Sequence, residues 1–273
     1  MAGQGKMMLL AIDIGNSHTV IGLFKDDQLI GQWRFKSDRE RTDDELAIHC
    51  YGLFSMIGVD TSAINGIIIA SVVPSLETSW SSYCRKYLSA NLESPPLLIS
   101  AENIKKSIHI KTDNPDEVGA DRLVNAIAAW QKYRCNLVII DFGTAITFDC
   151  VSAEGEYLGG AILPGVAIAL DALSSRTAKL PRIDVSVGPE KVIGTNTVQA
   201  MKSGILHGYG SLVDGMTQKI SLEMGGSDGE LKVIATGGMA HLIAPYAQSI
   251  DELEPLLTLN GLHFLHSQQQ KND

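Results

Sequence analysis

The segment Met8-Leu-Leu-Ala-Ile-Asp-Ile-Gly-Asn-Ser-His-Thr19 is the most informative part of the sequence, because its pattern returns later in the chain. The second copy is Leu137-Val-Ile-Ile-Asp-Phe-Gly-Thr-Ala-Ile-Thr147. Each copy is an apolar run followed by Asp, an apolar residue, Gly, a small polar residue, a small residue, any residue and Thr. The unbroken hydrophobicity predicts a strand buried on both faces. The glycine lets the chain turn tightly or approach a ligand closely.

The segments that follow the two copies also correspond. After the first copy, a polar turn at residues 25–28 leads into a second strand that runs through Phe35. After the second copy, a turn at residues 153–156 leads into a strand over 157–163. Apolar runs separated by short polar turns predict a β-hairpin in both places.

Each predicted hairpin leads into a predicted helix. The string Thr42-Asp-Asp-Glu45 is a capping box, in which the Thr and Glu side chains satisfy backbone N–H groups at a helix start. Pro164 stands where a first-turn proline is favoured, just before a helix over 166–173. The sequence therefore predicts an α/β protein built from two similar halves, residues 1–133 and 134–273, with no linker between them.

A third glycine turn, Thr236-Gly237-Gly238, follows a predicted strand and precedes a helix. Such a turn lets the backbone lie against a ligand, and a helix N-terminus favours anions. The other predicted elements are strands over 66–73, 97–100 and 231–235, helices over 76–88, 118–133 and 197–224, and a frayed polar end at 267–273.

Three glycine turns at strand ends predict a ligand cleft between the two halves, because ligands of α/β sheets bind beyond the carboxyl ends of strands. Asp13 and Asp141 would face each other there and hold a cation beside phosphates. Backbone N–H groups and hydroxyls of 15–19 and 143–147 would bind phosphate oxygens. A single Asp-x-Gly turn is commonly only structural, and its duplication favours a nucleotide site. The chain has neither a P-loop string nor G-x-G-x-x-G.

Composition excludes several other classes of protein. The chain of 273 residues is 45% hydrophobic, so it can bury a sizeable core. Its net charge of −9 argues against nucleic-acid binding through the overall field. Its apolar runs are too short to span a bilayer or to form a signal peptide. Four cysteines without a C-x-x-C pair predict reduced, mostly buried thiols, and we expect a cytoplasmic protein.

Four strings in this order resemble one family. They are Asp13-Ile-Gly-Asn-Ser-His-Thr19, Asn114-Pro-Asp-Glu-Val-Gly-Ala-Asp-Arg122, Asp141-Phe-Gly-Thr-Ala145 and Gly194-Thr-Asn-Thr197. Together they resemble type III pantothenate kinases, members of the actin, sugar kinase and Hsp70 superfamily. The resemblance implies a duplicated actin-like (ribonuclease H-like) ATPase fold, with two halves around a nucleotide cleft. It also implies a cytoplasmic homodimer that moves the γ-phosphoryl of ATP to the 4′-hydroxyl of pantothenate, the first step of coenzyme A biosynthesis. Mg²⁺ and a monovalent cation, K⁺ or NH₄⁺, would be required.

The resemblance also implies roles for individual residues. Asp121 would be the general base, Asp141 the monovalent-cation ligand, and Asp13 the residue that holds Mg²⁺ through water. The predicted ATP contacts are Asp13, Ile14, Gly15, Asn16, Ser17, His18, Thr19, Val20 and Thr144. The predicted pantothenate contacts are Gly119, Ala120, Asp121, Arg122 and Thr197, with Arg122 gripping the carboxylate.

Simpler interpretations of these residues stay open at this point. Asp121 could only complement a helix dipole, Arg122 could be a surface side chain, and Thr197 could be a helix N-cap. His18 is given no proton-transfer role. The family often has an aromatic residue where this chain has Thr112, so an aromatic substrate contact is not carried over. The alternatives for the whole protein are a kinase for another small hydroxy acid and a nucleotide-binding regulatory protein without turnover.

Overall fold

The computed structural model describes residues 7–225 and 231–272 and divides them into two compact units. The first unit contains residues up to 108, then 114–128, and the C-terminal segment from 258. The second unit contains 109–113 and the described residues of 129–257. The C-terminal segment from residue 258 thus belongs to the same compact unit as the N-terminal part of the chain. The division into halves 1–133 and 134–273 was inferred from the sequence repeat and stays a prediction.

The first unit has a five-stranded mixed sheet. Its strand order is β3-β2-β1-β4-β5. β1 is antiparallel to β2 and parallel to β4, so the carboxyl ends of β1 and β4 share one edge of the sheet. The strands are β1 (Met8–Ile14), β2 (His18–Lys25), β3 (Gln28–Lys36), β4 (Gly66–Ser71) and β5 (Leu97–Leu98).

Helices pack on this sheet because their apolar side chains share a hydrophobic core with those of its strands. Helix α1 begins at the predicted capping box, with Thr42 and Glu45 exchanging backbone hydrogen bonds. It turns Leu46, Cys50 and Phe54 into the core that also contains Trp80. The helices of this unit are α1 (Asp43–Met56), α2 (Pro74–Tyr83), α3 (Ala101–Ile104) and, at the end of the chain, α8 (Leu257–Asn272).

The second unit has a six-stranded mixed sheet with the order β11-β10-β7-β8-β9-β6. Its central pair is again a hairpin, β7 with β8, and β7 is parallel to β10. The strands are β6 (His109–Ile110), β7 (Asn136–Phe142), β8 (Ala145–Val151), β9 (Glu156–Pro164), β10 (Leu231–Thr236) and β11 (Glu252–Leu253).

Helices pack on one face of this second sheet. Val138, Ile140 and Phe142 of β7 point into that core. The helices are α5 (Val166–Arg176), α6 (Thr197–Glu223) and α7 (Ala240–Ile243). Helix α4 (Ala120–Tyr133) begins among residues of the first unit and ends among residues of the second.

The two hairpins are alike but differ by one residue in register. In the first, Asp13 lies opposite Val20 and Ile14 opposite Thr19. In the second, Asp141 lies opposite Thr147. The first turn is therefore one residue longer than the second, although the sequence spacing from Asp to Thr is the same.

One prediction about a helix end is confirmed and another is wrong. The chain is helical throughout the predicted range 76–88, first as α2 and then as one wider turn over Cys84–Leu88. The end predicted to fray is helical as far as Asn272, and Asp273 lies outside the described residues. Ser107 Oγ donates to Gln268 Oε1 at 2.9 Å, and this contact ties the polar end of α8 to the rest of the first unit.

The cysteines are mostly buried, as predicted. Cys50, Cys84 and Cys150 are buried, and none of them forms a disulfide within the described part of the chain. Burial raises the pKa of the Cys50 thiol to about 12. Across residues 7–225 and 231–272, none of the helices combines the length and apolar composition needed to cross a bilayer.

Candidate active site

The turn after β1 is held closed by its own backbone and by one serine. Gly15 N–H donates to the His18 carbonyl at 3.1 Å, and a Cβ at position 15 would lie 2.9 Å from that oxygen. Ser37 Oγ donates to the Gly15 carbonyl at 2.6 Å, so the Thr19 hydroxyl donates to Ser37 Oγ at 3.1 Å. Ser37 was not singled out in the sequence, because its partner is fixed only by strand pairing.

The exposed part of this turn consists of Asn16, Ser17 and His18. Desolvation and the positive charge of Arg34 lower the pKa of the His18 imidazole below its ordinary value. Both effects favour the neutral form of the imidazole. The turn can offer backbone N–H groups and small hydroxyls to an anion.

The predicted pantothenate segment lies beside this turn, and Val72 joins the two. Val72 N–H donates to the Ile14 carbonyl at 3.0 Å. A Cβ at Gly119 would lie 3.4 Å from Val72 Cγ1. The structure thus brings the Asp13 turn and the start of α4 together at one edge of the first sheet.

Asp121 occupies the first turn of α4 and is half-buried. Its Oδ1 accepts the Arg122 N–H at 2.8 Å. A Cβ at Gly119 would stand only 2.6 Å from that same oxygen. The missing side chain at position 119 therefore leaves the space that the Asp121 carboxylate occupies.

The turn after β7 has a similar construction in the second unit. Gly143 N–H donates to the Ala145 carbonyl, and Gly165 N–H donates to the Thr144 carbonyl, both at 3.1 Å. A Cβ at Gly165 would lie 2.2 Å from that Thr144 oxygen. Close backbone packing thus fixes the position of Thr144.

The third glycine turn lies against the Asp141 carboxylate. Gly237 has a φ of +90°, and a Cβ there would lie 2.3 Å from Asp141 Oδ1. Gly143 lies on the same carboxylate, with a Cβ position 3.5 Å from Oδ1. Asp141 Oδ1 therefore sits in a cradle of two glycines.

The neighbours of the two aspartates differ in chemistry. Asp13 lies between Val20 of β2 and Ala70 of β4 in the first sheet. Asp141 lies between Thr147 of β8 and Thr236 of β10 in the second. Directly paired residues place their side chains on the same face of a sheet. The residues paired directly with Asp141 therefore carry hydroxyl oxygens, whereas those paired directly with Asp13 are apolar.

A buried carboxylate on β8, two residues beyond the strand partner of Asp141, was missed in the sequence. Asp149 is 0% exposed, and its Oδ1 accepts the Tyr157 hydroxyl at 2.6 Å. Its Oδ2 accepts the Thr147 hydroxyl at 2.9 Å. The available signal was a carboxylate two residues beyond Thr147 in a strand that is otherwise buried.

Thr197 is the first residue of α6 and is exposed. The alternative that Thr197 is the N-cap was wrong, because Asn196 Oδ1 accepts the Gln199 N–H at 2.9 Å and occupies that position. Thr112 is half-buried, with its Cγ2 atom 3.7 Å from the Cβ position of Gly159.

Comparison with known proteins decides the family. The family model of type III pantothenate kinase matches residues 9–219. This chain belongs to the type III pantothenate kinase family. A type III pantothenate kinase from Desulfotalea psychrophila is 51% identical over 265 residues, covering 97% of this chain and 100% of its relative. All four strings that carried the resemblance lie within the range 9–219 that the family model matches.

Solved structures confirm the predicted fold class at lower sequence identity. A Campylobacter jejuni protein, described as a Baf family transcriptional activator, has a TM-score of 0.56 at 18% identity. The alignment covers 96% of this chain and 99% of that one. A Porphyromonas gingivalis protein, described as an N-acetylglucosamine kinase, has a TM-score of 0.51 at 13% identity, covering 96% and 100%. These likenesses show the actin-like ATPase fold of the sugar kinases.

Proposed function

We propose that this family member transfers the γ-phosphoryl of ATP to the 4′-hydroxyl of pantothenate, the first step of coenzyme A biosynthesis. The observation that carries the proposal is the contact through Val72, which places the Gly119–Arg122 segment beside the Asp13 turn. A phosphoryl acceptor and a phosphate-binding turn must be neighbours for in-line transfer.

The Asp13–Val20 turn would bind the phosphates of ATP, and Thr144 would supply a second nucleotide contact. Asp13 fits Mg²⁺ held through water, because its strand neighbours Val20 and Ala70 provide no side-chain oxygen. Mg²⁺ commonly binds through one or two carboxylates and keeps several waters. Bound there, the ion would neutralise phosphate oxygens during transfer.

The Gly119–Arg122 segment would hold pantothenate, with Ala120 as a further contact. The Arg122 guanidinium offers a planar fork that matches the pantothenate carboxylate. The Asp121 carboxylate, anchored by the Arg122 N–H, would take the proton of the 4′-hydroxyl. A carboxylate suffices for this step because the proton leaves late in a loose transition state.

Asp141 fits a monovalent cation such as K⁺ or NH₄⁺. The glycine cradle around its Oδ1 leaves space that a Cβ at position 237 would fill. The side chains paired with it, Thr147 and Thr236, carry oxygen atoms, which are the donors that hard cations prefer. Such an ion would contribute positive charge near the nucleotide phosphates.

Three further expectations extend the same proposal. Thr197, exposed at the start of α6, would contact pantothenate. Thr112 stands where the family often has an aromatic residue, so another side chain would close that side of the pocket. We also expect a cytoplasmic homodimer with no nucleic-acid partner.

The experiment is ADP release from the purified chain with Mg·ATP and K⁺, with and without pantothenate. We expect release only with pantothenate, and a loss of about 10²–10⁴-fold in kcat for Asp121→Asn with ATP binding retained. Asp116→Asn is the matched control, because Asp116 is exposed in the same segment and should keep wild-type rates.

The outcomes separate the alternatives for the whole protein. ADP release with another hydroxy acid but not with pantothenate would favour a different small-molecule kinase. ATP binding without any acceptor-dependent release would favour a regulatory protein. A near-normal kcat for Asp121→Asn would remove the general base from Asp121.

A further inference from the structure

The group formed by Asp149, Tyr157 and Thr147 is not used by the mechanism above. Asp149 and Tyr157 are both 0% exposed, on strands β8 and β9 of the second sheet. A buried carboxylate is costly unless hydrogen bonds satisfy it. Two hydroxyl donors do so here, Tyr157 at 2.6 Å and Thr147 at 2.9 Å.

This group fixes the direction of the Thr147 hydroxyl. A threonine hydroxyl has one proton and two lone pairs. Because the Thr147 hydroxyl donates its hydrogen bond to Asp149 Oδ2, its oxygen presents only lone pairs to any other neighbour. Because Asp149 is fully buried and holds the Tyr157 hydroxyl through its other oxygen, its Oδ2 is fixed in place and the orientation of the Thr147 hydroxyl is persistent.

The same arrangement occurs on the other side of Asp141. Thr236 is paired with Asp141 through the parallel β7–β10 ladder. The Thr236 hydroxyl donates a hydrogen bond to the Glu254 carbonyl oxygen at 2.8 Å. Asp141 is thus flanked on one sheet face by two hydroxyl oxygens, from Thr147 and Thr236, whose protons point elsewhere.

Two acceptor oxygens beside a carboxylate suit a cation and repel an anion. The contrast with Asp13 supports this conclusion, because Val20 and Ala70 occupy the corresponding positions there. The threonines therefore distinguish a site that surrounds an ion with protein oxygens from a site that holds one through water.

We propose that Thr147 is a direct oxygen ligand of the monovalent cation at Asp141, and that Asp149 is the positioning residue that keeps the Thr147 hydroxyl in its acceptor orientation. Thr236 supplies a third oxygen from the opposite strand. The inference rests on the proposed function, because it deepens the cation role of Asp141.

The test measures cation binding apart from catalysis. Thermal unfolding is followed in KCl and in choline chloride at equal ionic strength, with Mg·ATP present and pantothenate omitted. A ligand that binds the native state raises the unfolding midpoint with its concentration. The KCl concentration that gives half of this rise reports the affinity for K⁺, and ADP release against KCl gives a second midpoint.

We expect Thr147→Val to raise both K⁺ midpoints about tenfold or more, because valine keeps the shape and removes the oxygen. Asp149→Asn should raise them about 10–100-fold, the usual effect of losing an outer-shell partner, since its amide can donate to the Thr147 oxygen. Thr147→Ser should stay within about twofold to threefold of the wild type.

The matched control is Thr217→Val, the same substitution at a buried threonine of α6. It should leave both K⁺ midpoints unchanged. If Thr147→Val lowers stability in choline chloride so far that no transition is seen, Thr147→Ala and Asp149→Asn decide the question in its place.

Wild-type K⁺ midpoints in Thr147→Val and Asp149→Asn would overturn the proposal, as would a wild-type protein whose unfolding and activity do not distinguish K⁺ from choline. If ADP release still depends on pantothenate in either case, the proposed kinase function stands and only the ligand assignment fails. Absence of pantothenate-dependent release in the wild type would instead reject the function itself.

Discussion

Replacing Gly119 by alanine tests the position of the Asp121 carboxylate with one added methyl group. The new Cβ would stand 2.6 Å from Asp121 Oδ1, whereas ordinary contacts begin near 3.4 Å. The oxygen must therefore retreat by about 0.8 Å. The atom in the way is the end of a side chain, so the carboxylate can rotate aside without moving the backbone.

This geometry predicts a large loss of rate with a small loss of stability. A displacement of about 1 Å at a reacting group can cost 10²-fold, so we expect kcat to fall about 10–100-fold, equivalent to about 1.4–2.7 kcal/mol in the activation free energy. The free energy of unfolding should change by less than about 1 kcal/mol, since alanine before a helix loses some capping preference and restricts the unfolded chain.

The assay combines pantothenate-dependent ADP release with thermal unfolding. Gly52→Ala is the matched control, because a Cβ there meets no atom within 4 Å. That variant should be as active as the wild type and up to about 1 kcal/mol more stable, since alanine is favoured over glycine inside a helix. Full kcat in Gly119→Ala would refute the link between Gly119, the carboxylate position and catalysis.

Three other predictions concern the glycine cradle and two buried polar groups. Gly237→Ala should cost about 1–3 kcal/mol in thermal unfolding because of its positive φ, and should weaken the K⁺ response of ADP release by displacing Asp141 Oδ1. Burial lowers the pKa of His266 in the native state. As the pH falls through about 6.5, His266 is therefore protonated more readily in the unfolded chain than in the native one. Stability then drops on acidification by at most about 1.4 kcal/mol per pH unit, and His266→Gln should reduce the drop between pH 7.5 and 5.5 in urea unfolding. Thr217→Val should raise the urea midpoint, because the described residues give the buried Thr217 hydroxyl no hydrogen-bond partner.

The duplicated hairpins could be predicted because their information is local. Continuous apolar runs mark strands such as Met8–Ile14, and an Asp-x-Gly string marks the turn after each. The capping box at Thr42 likewise places the start of α1 within a few residues of chain. The sequence was sufficient to predict these elements because residues close to one another in the chain determine them.

Features that depend on distant partners could not be predicted. The polar end of α8 is held by a contact across 161 residues of sequence, between Ser107 and Gln268. His266 can be buried because Gly66 has no side chain in the space that the imidazole occupies. The role of Asp149 becomes visible only in the structure, where strand pairing brings the Tyr157 hydroxyl to its carboxylate.

The one-residue difference between the hairpins bears on how the two sequence repeats are compared. A letter-by-letter comparison of the repeats equates Thr19 with Thr147, yet strand pairing makes Val20 the spatial counterpart of Thr147. The spatial counterparts in the second strand of each hairpin are therefore offset by one position, although the spacing from Asp to Thr is the same in the two repeats. Roles can be transferred between the repeats only with that offset, and ancestral sequences reconstructed without a gap there would join residues from opposite faces of the sheet.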